Sequence, residues 1–254
     1  MQLTPEQERF KEAYIKARGY WVEFNDGLLM HSPEWLQTYL KYAETPAREG
    51  PLEPRLREMI YVATDASTTH MFTEGLEIHI NLAFQAGCTV SQLIEVMQLA
   101  TMQGLDSVAN GMTILIEEAH KAGFSLQNQR NSEDDATFQM LDDYRKVFGE
   151  CPSWLETLAY LAPEYTRALI NVFTISEEHS SLSDKEKVLI RLALAASPTH
   201  LNRDGIRTEV QRAMALKVTT DEIIEVFQLV AHLGIHACVD GVPAIVRAFQ
   251  KSQS

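Results

Sequence analysis

The feature that most constrains this chain is an internal repeat with an offset of 130 residues. Residues 52–111 align without a gap to residues 182–241, and 17 of the 60 aligned pairs are identical. The most similar blocks are DASTTH (65–70) against AASPTH (195–200), and TVSQLIEVMQLATMQG (89–104) against TTDEIIEVFQLVAHLG (219–234). A repeat of this length predicts two copies of one domain. We place them at residues 1–127 and 128–254, with the polar, acidic segment 128–138 as the linker or the start of the second copy.

Both copies have the apolar spacing of helices. Apolar residues recur at i, i+3, i+4 and i+7 in 93–100 and again in 223–230, and no long stretch alternates as a strand would. Residues 56–66 and 188–196 predict a buried helix in each copy, and residues 75–86 and 205–216 predict another. Thr89 and Thr219 are expected helix N-caps, and Gly104 and Gly234 the expected helix ends. The predicted fold class is all-α.

Composition and charge limit the partners. The 22 Lys and Arg residues face 35 Asp and Glu residues, for a formal net charge of −13, and such a surface repels phosphate backbones and anionic membranes. No apolar run approaches the roughly 18 residues of a membrane span, and no secretion signal is visible. The three cysteines are far apart and lack metal-site spacing, as in a reduced compartment. We therefore expect a cytoplasmic protein that binds a small molecule, and neither nucleic acid nor membrane.

Residues 56–70 and 75–104 resemble the carboxymuconolactone decarboxylase family, the group that includes the AhpD-type alkylhydroperoxidases. The matching pattern is a helix with a histidine, a small-residue helix end, a G-x-T-x-x-x-[IL]-x-E motif and a closing glycine, here His79, Ala83, Gly87, Thr89, Leu93, Glu95 and Gly104. The resemblance implies a tandem, two-copy member of an all-α family that assembles into rings of six copies. A two-copy chain is therefore expected to form a homotrimer or a dimer of trimers.

The peroxidase branch of this family uses a CxxCxxxH motif, which the chain lacks. Residues 70–78 and 200–208 contain no cysteine, so no thiolate can attack a peroxide there. The remaining decarboxylase branch uses acid/base side chains and no cofactor. The resemblance thus implies a carboxy-lyase that removes CO2 from a small acidic, lactone or aromatic-derived metabolite, as in aromatic degradation.

His79 is the first candidate for proton transfer, with Glu77 two residues before it on the same predicted helix. An imidazole titrates near neutral pH and can deliver or remove a proton. The alternative is a core histidine bonded to a backbone carbonyl. In the second copy Glu209 stands at the His79 position and Arg207 at the Glu77 position. Either the second copy is structural, or Glu209 and Arg207 join His79 in one composite pocket, where Arg207 would hold a substrate carboxylate.

Further residues complete the candidate set. His70 and His200 recur at the repeat offset and serve either catalysis or a shared structural role. Glu58 is a proton-relay candidate if it lies near His70, and a surface partner of Arg55 or Arg57 otherwise. His232 and His236 have the i, i+4 spacing of a two-histidine metal face, but Gly234 between them favours pocket lining over a metal site. We therefore predict no metal.

Three functional interpretations stay open at this point. The leading one is a cofactor-independent decarboxylase, the second is a hydrolase, isomerase or hydratase acting on a related lactone or enone with the same groups, and the third is a non-catalytic ligand-binding or assembly protein. A buried His79 that faces a pocket favours the enzymes, and a His79 packed in a dry core favours the third.

Overall fold

The computed structural model describes residues 3–126 and 135–253, and these contain helices and turns but no β-strand. The first seven helices are α1 (Pro5–Arg18), α2 (Glu23–His31), α3 (Pro33–Glu49), α4 (Pro54–Ala66), α5 (Thr73–Gln85), α6 (Val90–Thr101) and α7 (Leu105–Lys121). The next seven are α8 (Asp135–Phe148), α9 (Ser153–Leu161), α10 (Pro163–Glu178), α11 (Asp184–Ala196), α12 (Arg203–Ala215), α13 (Thr220–Ala231) and α14 (His236–Ser252). The predicted all-α fold is confirmed.

The helix boundaries repeat with the same offset as the sequence. Helices α4, α5 and α6 correspond to α11, α12 and α13 with both ends shifted by 130 residues. The backbone repeats as well, because Met71 and Leu201 both have a positive φ, as do Gly87 and Lys217. Thr89 and Thr219 cap α6 and α13 as predicted, each in a reciprocal pair of hydrogen bonds with the residue three positions later. The helices therefore recur in the pattern that the repeat predicts.

The helix ends expected at Gly104 and Gly234 lie elsewhere. Helix α6 ends at Thr101 and α13 at Ala231, and each is followed by a short 3-10 turn, Met102–Gly104 and His232–Ile235. Neither glycine has a positive φ, so neither acts as a left-handed C-cap. The chain instead tightens by one 3-10 turn and continues directly into α7 or α14.

The chain folds into two compact units. One unit comprises residues 1–100 and 183–254, and the other residues 101–182. The core of the first is built on α4 and α11, whose inner side chains are fully buried, among them Met59, Ile60, Leu189 and Ile190. The core of the second consists of apolar side chains from α8, α9 and α10, including Leu141, Leu155 and Ile170. These units are defined by packing, whereas the two copies are defined by sequence. The predicted boundary between the copies, at 127/128, lies outside the described residues and stays a prediction.

One helical stretch is long and apolar enough to cross a membrane by length and composition alone. It runs over Thr220–Ser252, with a mean hydropathy of 1.6 in its most apolar window, and it is the one such stretch among the described residues. The expectation that no stretch reaches spanning length therefore does not hold by this measure. The stretch includes the 3-10 turn at His232–Ile235, and α13 packs against α4 and α11 in the first unit. The stretch therefore consists of two helices, α13 and α14, joined by a 3-10 turn, and 28% of its most apolar window is buried.

Candidate active site

Helix α4 supplies one face of the candidate site. Glu58, Tyr61 and Asp65 are spaced i, i+3 and i+7, which places the three side chains along the same side of the helix. On the same helix Arg57 is directed elsewhere, to the buried carboxylate of Glu225 on α13 and the carbonyl of Gly50. This ion pair joins α4 to α13 and holds the face that carries Glu58 in place.

His79 on α5 is paired with Glu58. The imidazole Nδ1 lies 2.8 Å from Glu58 Oε2, and the His79 residue is only 6% exposed while Glu58 is half-buried. A carboxylate on Nδ1 fixes the tautomer and orientation of the ring, because Nδ1–H donates and the other nitrogen, Nε2, remains for proton exchange. The structure thus pairs Glu58 with His79, whereas the sequence left Glu58 either near His70 or as a surface partner of Arg55 or Arg57.

Aromatic rings enclose His79. Its ring stacks on Tyr61 at a centroid distance of 4.5 Å and meets the edge of Tyr20 at 6.0 Å. The guanidinium of Arg18 lies over both tyrosine rings and donates to the hydroxyl of Tyr20 and the carbonyl of Ala43. The imidazole is therefore bounded by aromatic rings, and the fixed positive charge of Arg18 lies against the same two tyrosines.

Tyr61 connects this pair to His232. The hydroxyl of Tyr61 lies 2.8 Å from His232 Nδ1, and the His232 residue is 3% exposed. Burial, followed by the nearby charge of Arg18, lowers the pKa of His232 to about 3, so its imidazole is neutral at physiological pH. Its buried Nε2 has no hydrogen-bond partner within the described part of the chain. His232 is therefore a neutral ring beside Tyr61, and its predicted role in lining a pocket stays a prediction.

A second polar group lies one turn further along α4. His70 Nε2 and His236 Nδ1 are 2.7 Å apart. One potential ligand atom from each of Asp65, His70 and His236 lies within 4.8 Å of the other two. Burial, helped by the charge of Glu58, raises the pKa of Asp65 to about 8, and burial together with His70 and His79 lowers the pKa of His236 to about 4. Among the described residues, these three side chains form a group whose atoms are close enough together to bind a metal ion.

The corresponding positions of the second copy carry different chemistry. Glu209, at the His79 position, is buried and pairs with Arg212 on its own helix at 2.8 Å. Burial raises the pKa of Glu209 even though Arg212 and Arg191 lower it. Val188 stands opposite Glu58 in the repeat, so no carboxylate is available there to orient a base. The described residues show no hydrogen bond or ion pair between Glu209 and His79.

Two predicted residues lie on exposed surface. Glu77 and Arg207, which occupy equivalent positions on α5 and α12, are both exposed, and His200 is half-buried. The structure thus brings together Glu58, His79 and His232 in one group and His70 with His236 in an adjacent one. Sequence reasoning missed Arg18, Tyr61 and Asp65. The i, i+3, i+7 spacing from Glu58 would have indicated the latter two, whereas nothing in the repeat indicates Arg18.

Comparison with known proteins supports the family and the fold. Residues 33–117 match the model of the carboxymuconolactone decarboxylase family. A crystal structure from Burkholderia xenovorans, of a protein provisionally described as a gamma-carboxymuconolactone decarboxylase subunit, is similar to this chain with a TM-score of 0.89 and 26% sequence identity, over 98% of this chain and 100% of that one. No curated protein matches the chain. These findings support the assignment of the chain to the carboxymuconolactone decarboxylase family and confirm the resemblance seen in its sequence.

Proposed function

We propose that this protein is a carboxy-lyase that removes CO2 from a small acidic metabolite, with His79 and Glu58 as its proton-transfer pair. The observation that carries the proposal is the 2.8 Å contact between His79 Nδ1 and Glu58 Oε2 inside a wall of aromatic rings. The match of residues 33–117 to a decarboxylase family model, and the similarity to a crystal structure described in those terms, support the reaction class at the same coarse level. A histidine oriented by a carboxylate, in a site partly shielded from water, is the usual arrangement for general acid/base catalysis.

The residues divide the reaction between them. The bond from the substrate carbon to its carboxylate breaks, CO2 leaves, and the electron pair remains on the carbon. The protonated imidazole of His79 delivers a proton to that carbon, and Glu58 stabilises the imidazolium. Arg18 supplies the fixed positive charge that an acidic substrate needs, and the rings of Tyr20 and Tyr61 position it beside His79. None of these steps requires a redox cofactor.

The test is turnover of a panel of lactone acids, β-keto acids and unsaturated acids, measured as CO2 release and as substrate loss. We expect wild-type turnover that disappears in His79→Ala and persists in Asn81→Ala, an exposed position on the same helix. Turnover that survives in His79→Ala contradicts the proposal. Substrate loss without CO2 release favours the hydrolase, isomerase or hydratase alternative, which would use the same pair.

We further propose that the chain acts in the cytoplasm as a homotrimer or a dimer of trimers. Helix α14 supports an assembly because Ile245 and Phe249 are large apolar side chains more than half exposed on its surface. Light scattering coupled to chromatography should give at least three times the 28.7 kDa chain mass. A monomer at micromolar concentration would contradict the assembly and leave the proposed reaction untouched.

A further inference from the structure

A buried carboxylate without a partner lies beside two histidines in the first unit. Asp65 is 1% exposed, and neither of its carboxylate oxygens has a hydrogen-bond partner among residues 3–126 and 135–253. The ring nitrogens of His70 and His236 face it, and the three potential ligand atoms lie within 4.8 Å of one another. We propose that Asp65, His70 and His236 form a binding site for a first-row divalent transition-metal ion such as Zn²⁺.

The ligand types select the class of ion. Two imidazole nitrogens and one carboxylate oxygen suit Zn²⁺, Fe²⁺, Co²⁺ or Ni²⁺, whereas Mg²⁺ and Ca²⁺ prefer an all-oxygen set. Three protein ligands would leave at least one coordination position open, as in catalytic rather than structural zinc sites. The site would therefore accept water or an oxygen atom of a small molecule as a further ligand.

The distances are compatible with a small adjustment on binding. His70 Nε2 and His236 Nδ1 are 2.7 Å apart, the separation of a hydrogen bond. Two nitrogens on one tetrahedral Zn²⁺ lie about 3.3 Å apart, given metal–nitrogen distances of about 2.0–2.1 Å. Both histidines are half-buried and sit at the ends of elements, His70 in the turn after α4 and His236 at the start of α14. Binding would separate the two nitrogens by about 0.6 Å and bring the carboxylate of Asp65 to the same ion.

A hydrogen-bonding role explains this cluster less well than a metal does. The contact between the two imidazoles uses one nitrogen of each ring and leaves the Asp65 oxygens unsatisfied. A buried carboxylate normally accepts several hydrogen bonds or coordinates a cation, because it loses its hydration on burial. Gly75 helps to admit the carboxylate, since a Cβ there would lie 2.4 Å from Asp65 Oδ2. A cation would supply the partner that the protein does not.

The repeat predicts how many ions the chain binds. His70 recurs as His200, but Ala195 stands at the Asp65 position and Asp106 at the His236 position. The second copy thus lacks the same ligand set, and we expect one ion per chain. The ligands differ from His79 and Glu58, so this inference does not rest on the proposed function, and its test reads binding rather than turnover.

The experiment measures Zn²⁺ binding by calorimetry on chelator-treated protein, and Co²⁺ binding by its visible absorption. The ligand variants are Asp65→Asn and His236→Ala, with His120→Ala as an exposed-histidine control and His79→Ala as a probe of the neighbouring pair. Circular dichroism melting establishes that each variant is folded. We expect one ion per wild-type chain, affinity reduced at least about tenfold in both ligand variants, and near wild-type affinity in His120→Ala and His79→Ala.

Several results would overturn the metal site. One is the absence of binding at millimolar Zn²⁺, which would leave Asp65 as a buried acid that is neutral in the folded chain. Another is stoichiometric binding that Asp65→Asn and His236→Ala do not weaken, and a third is loss of binding in His79→Ala alone. Failure of the decarboxylation panel with intact Zn²⁺ binding would count against the proposed function only.

Discussion

The helix pairs α4–α5 and α11–α12 have the same lengths and the same connecting turn, but they carry different side chains at the candidate site. Glu58, Tyr61 and His79 in the first pair correspond to Val188, Arg191 and Glu209 in the second. The first pair places a carboxylate on an imidazole, and the second places a buried carboxylate on an arginine of its own helix. The comparison indicates that the same arrangement of two helices can carry different polar side chains at the candidate site. The two copies can therefore have different roles.

The shared arrangement of helices depends on apolar burial and on ion pairs between the copies. Met59 and Ile60 on α4 and Leu189 and Ile190 on α11 occupy equivalent positions and are all fully buried. The repeat keeps this pattern even where the identities change. The candidate-site residues of α4 lie along a different side of the helix, so the two copies can share a core pattern and still differ in chemistry.

The largest expected difference between the copies is in catalysis. His79→Ala should lower the rate of CO2 release by about 10²- to 10⁴-fold, because a positioned general acid contributes that much. Glu209→Gln, the corresponding position in α12, should change the rate by less than about tenfold. Steady-state kinetics of the two variants measures the contrast. A comparable loss in Glu209→Gln would instead indicate a composite pocket formed by both copies.

The buried ion pair between Arg57 and Glu225 should contribute more to the free energy of unfolding than an exposed ion pair does. Arg57→Ala leaves Glu225, which is 1% exposed, without this partner and should cost about 3–5 kcal/mol in the free energy of unfolding. Arg48→Ala, which removes exposed ion pairs on α3, should leave the free energy of unfolding nearly unchanged. Urea denaturation followed by circular dichroism compares them. Equal effects would mean that the buried pair does not fix α4 on α13.

His232 should make the folded chain sensitive to acid. The pKa of its imidazole is about 3 in the folded state and near 6.5 when unfolded, so the unfolded chain binds the extra proton between these values. Its contribution to stability is complete above pH 6.5 and is lost as the pH falls toward 3. The other copy has Met102 at this position. The free energy of unfolding of wild type should therefore fall relative to that of His232→Gln between pH 6.5 and 4. Parallel pH profiles would contradict a neutral, buried His232.

The smallest effect concerns a backbone position where the copies differ. Lys217 has a φ of +60°, and the corresponding Gly87 has a φ of +93°. Glycine adopts this region without the steric cost that a side chain incurs, although it adds entropy to the unfolded chain. Lys217→Gly should therefore raise the free energy of unfolding by about 0.5 kcal/mol, measured in urea, while Gly87→Lys should lower it. A destabilised Lys217→Gly would show that the lysine side chain contributes more than the strain costs.

The sequence predicted the helical frame well because the frame depends on local signals. Apolar spacing identified α4, α5 and their counterparts, and Thr89 and Thr219 identified the starts of α6 and α13. The ends at Gly104 and Gly234 were wrong, because glycine ends a helix through a left-handed conformation and here the backbone stays right-handed. Local composition cannot distinguish a helix end from a 3-10 turn that leads into the next helix.

The candidate site was predicted in part. Glu58, His79 and His232 were identified from the family pattern and the histidine spacing. Glu58, however, was expected either beside His70 or in a surface ion pair with an arginine of α4. That choice depends on how α5 lies against α4, which is set by tertiary packing. Arg18 could not be found, because it precedes Tyr61 by 43 positions and lies outside the aligned repeat. Tyr61 and Asp65 looked like ordinary members of a buried helix.

The central claim is that Glu58 and His79 act as one proton-transfer unit, and a double-mutant cycle tests it most directly. Rates of CO2 release are measured for wild type, Glu58→Gln, His79→Ala and the double variant on one substrate. Groups that work as a unit have strongly non-additive effects. We predict that the double variant is no slower than His79→Ala alone. Rate losses that multiply would mean that the two residues act independently, and would contradict the account.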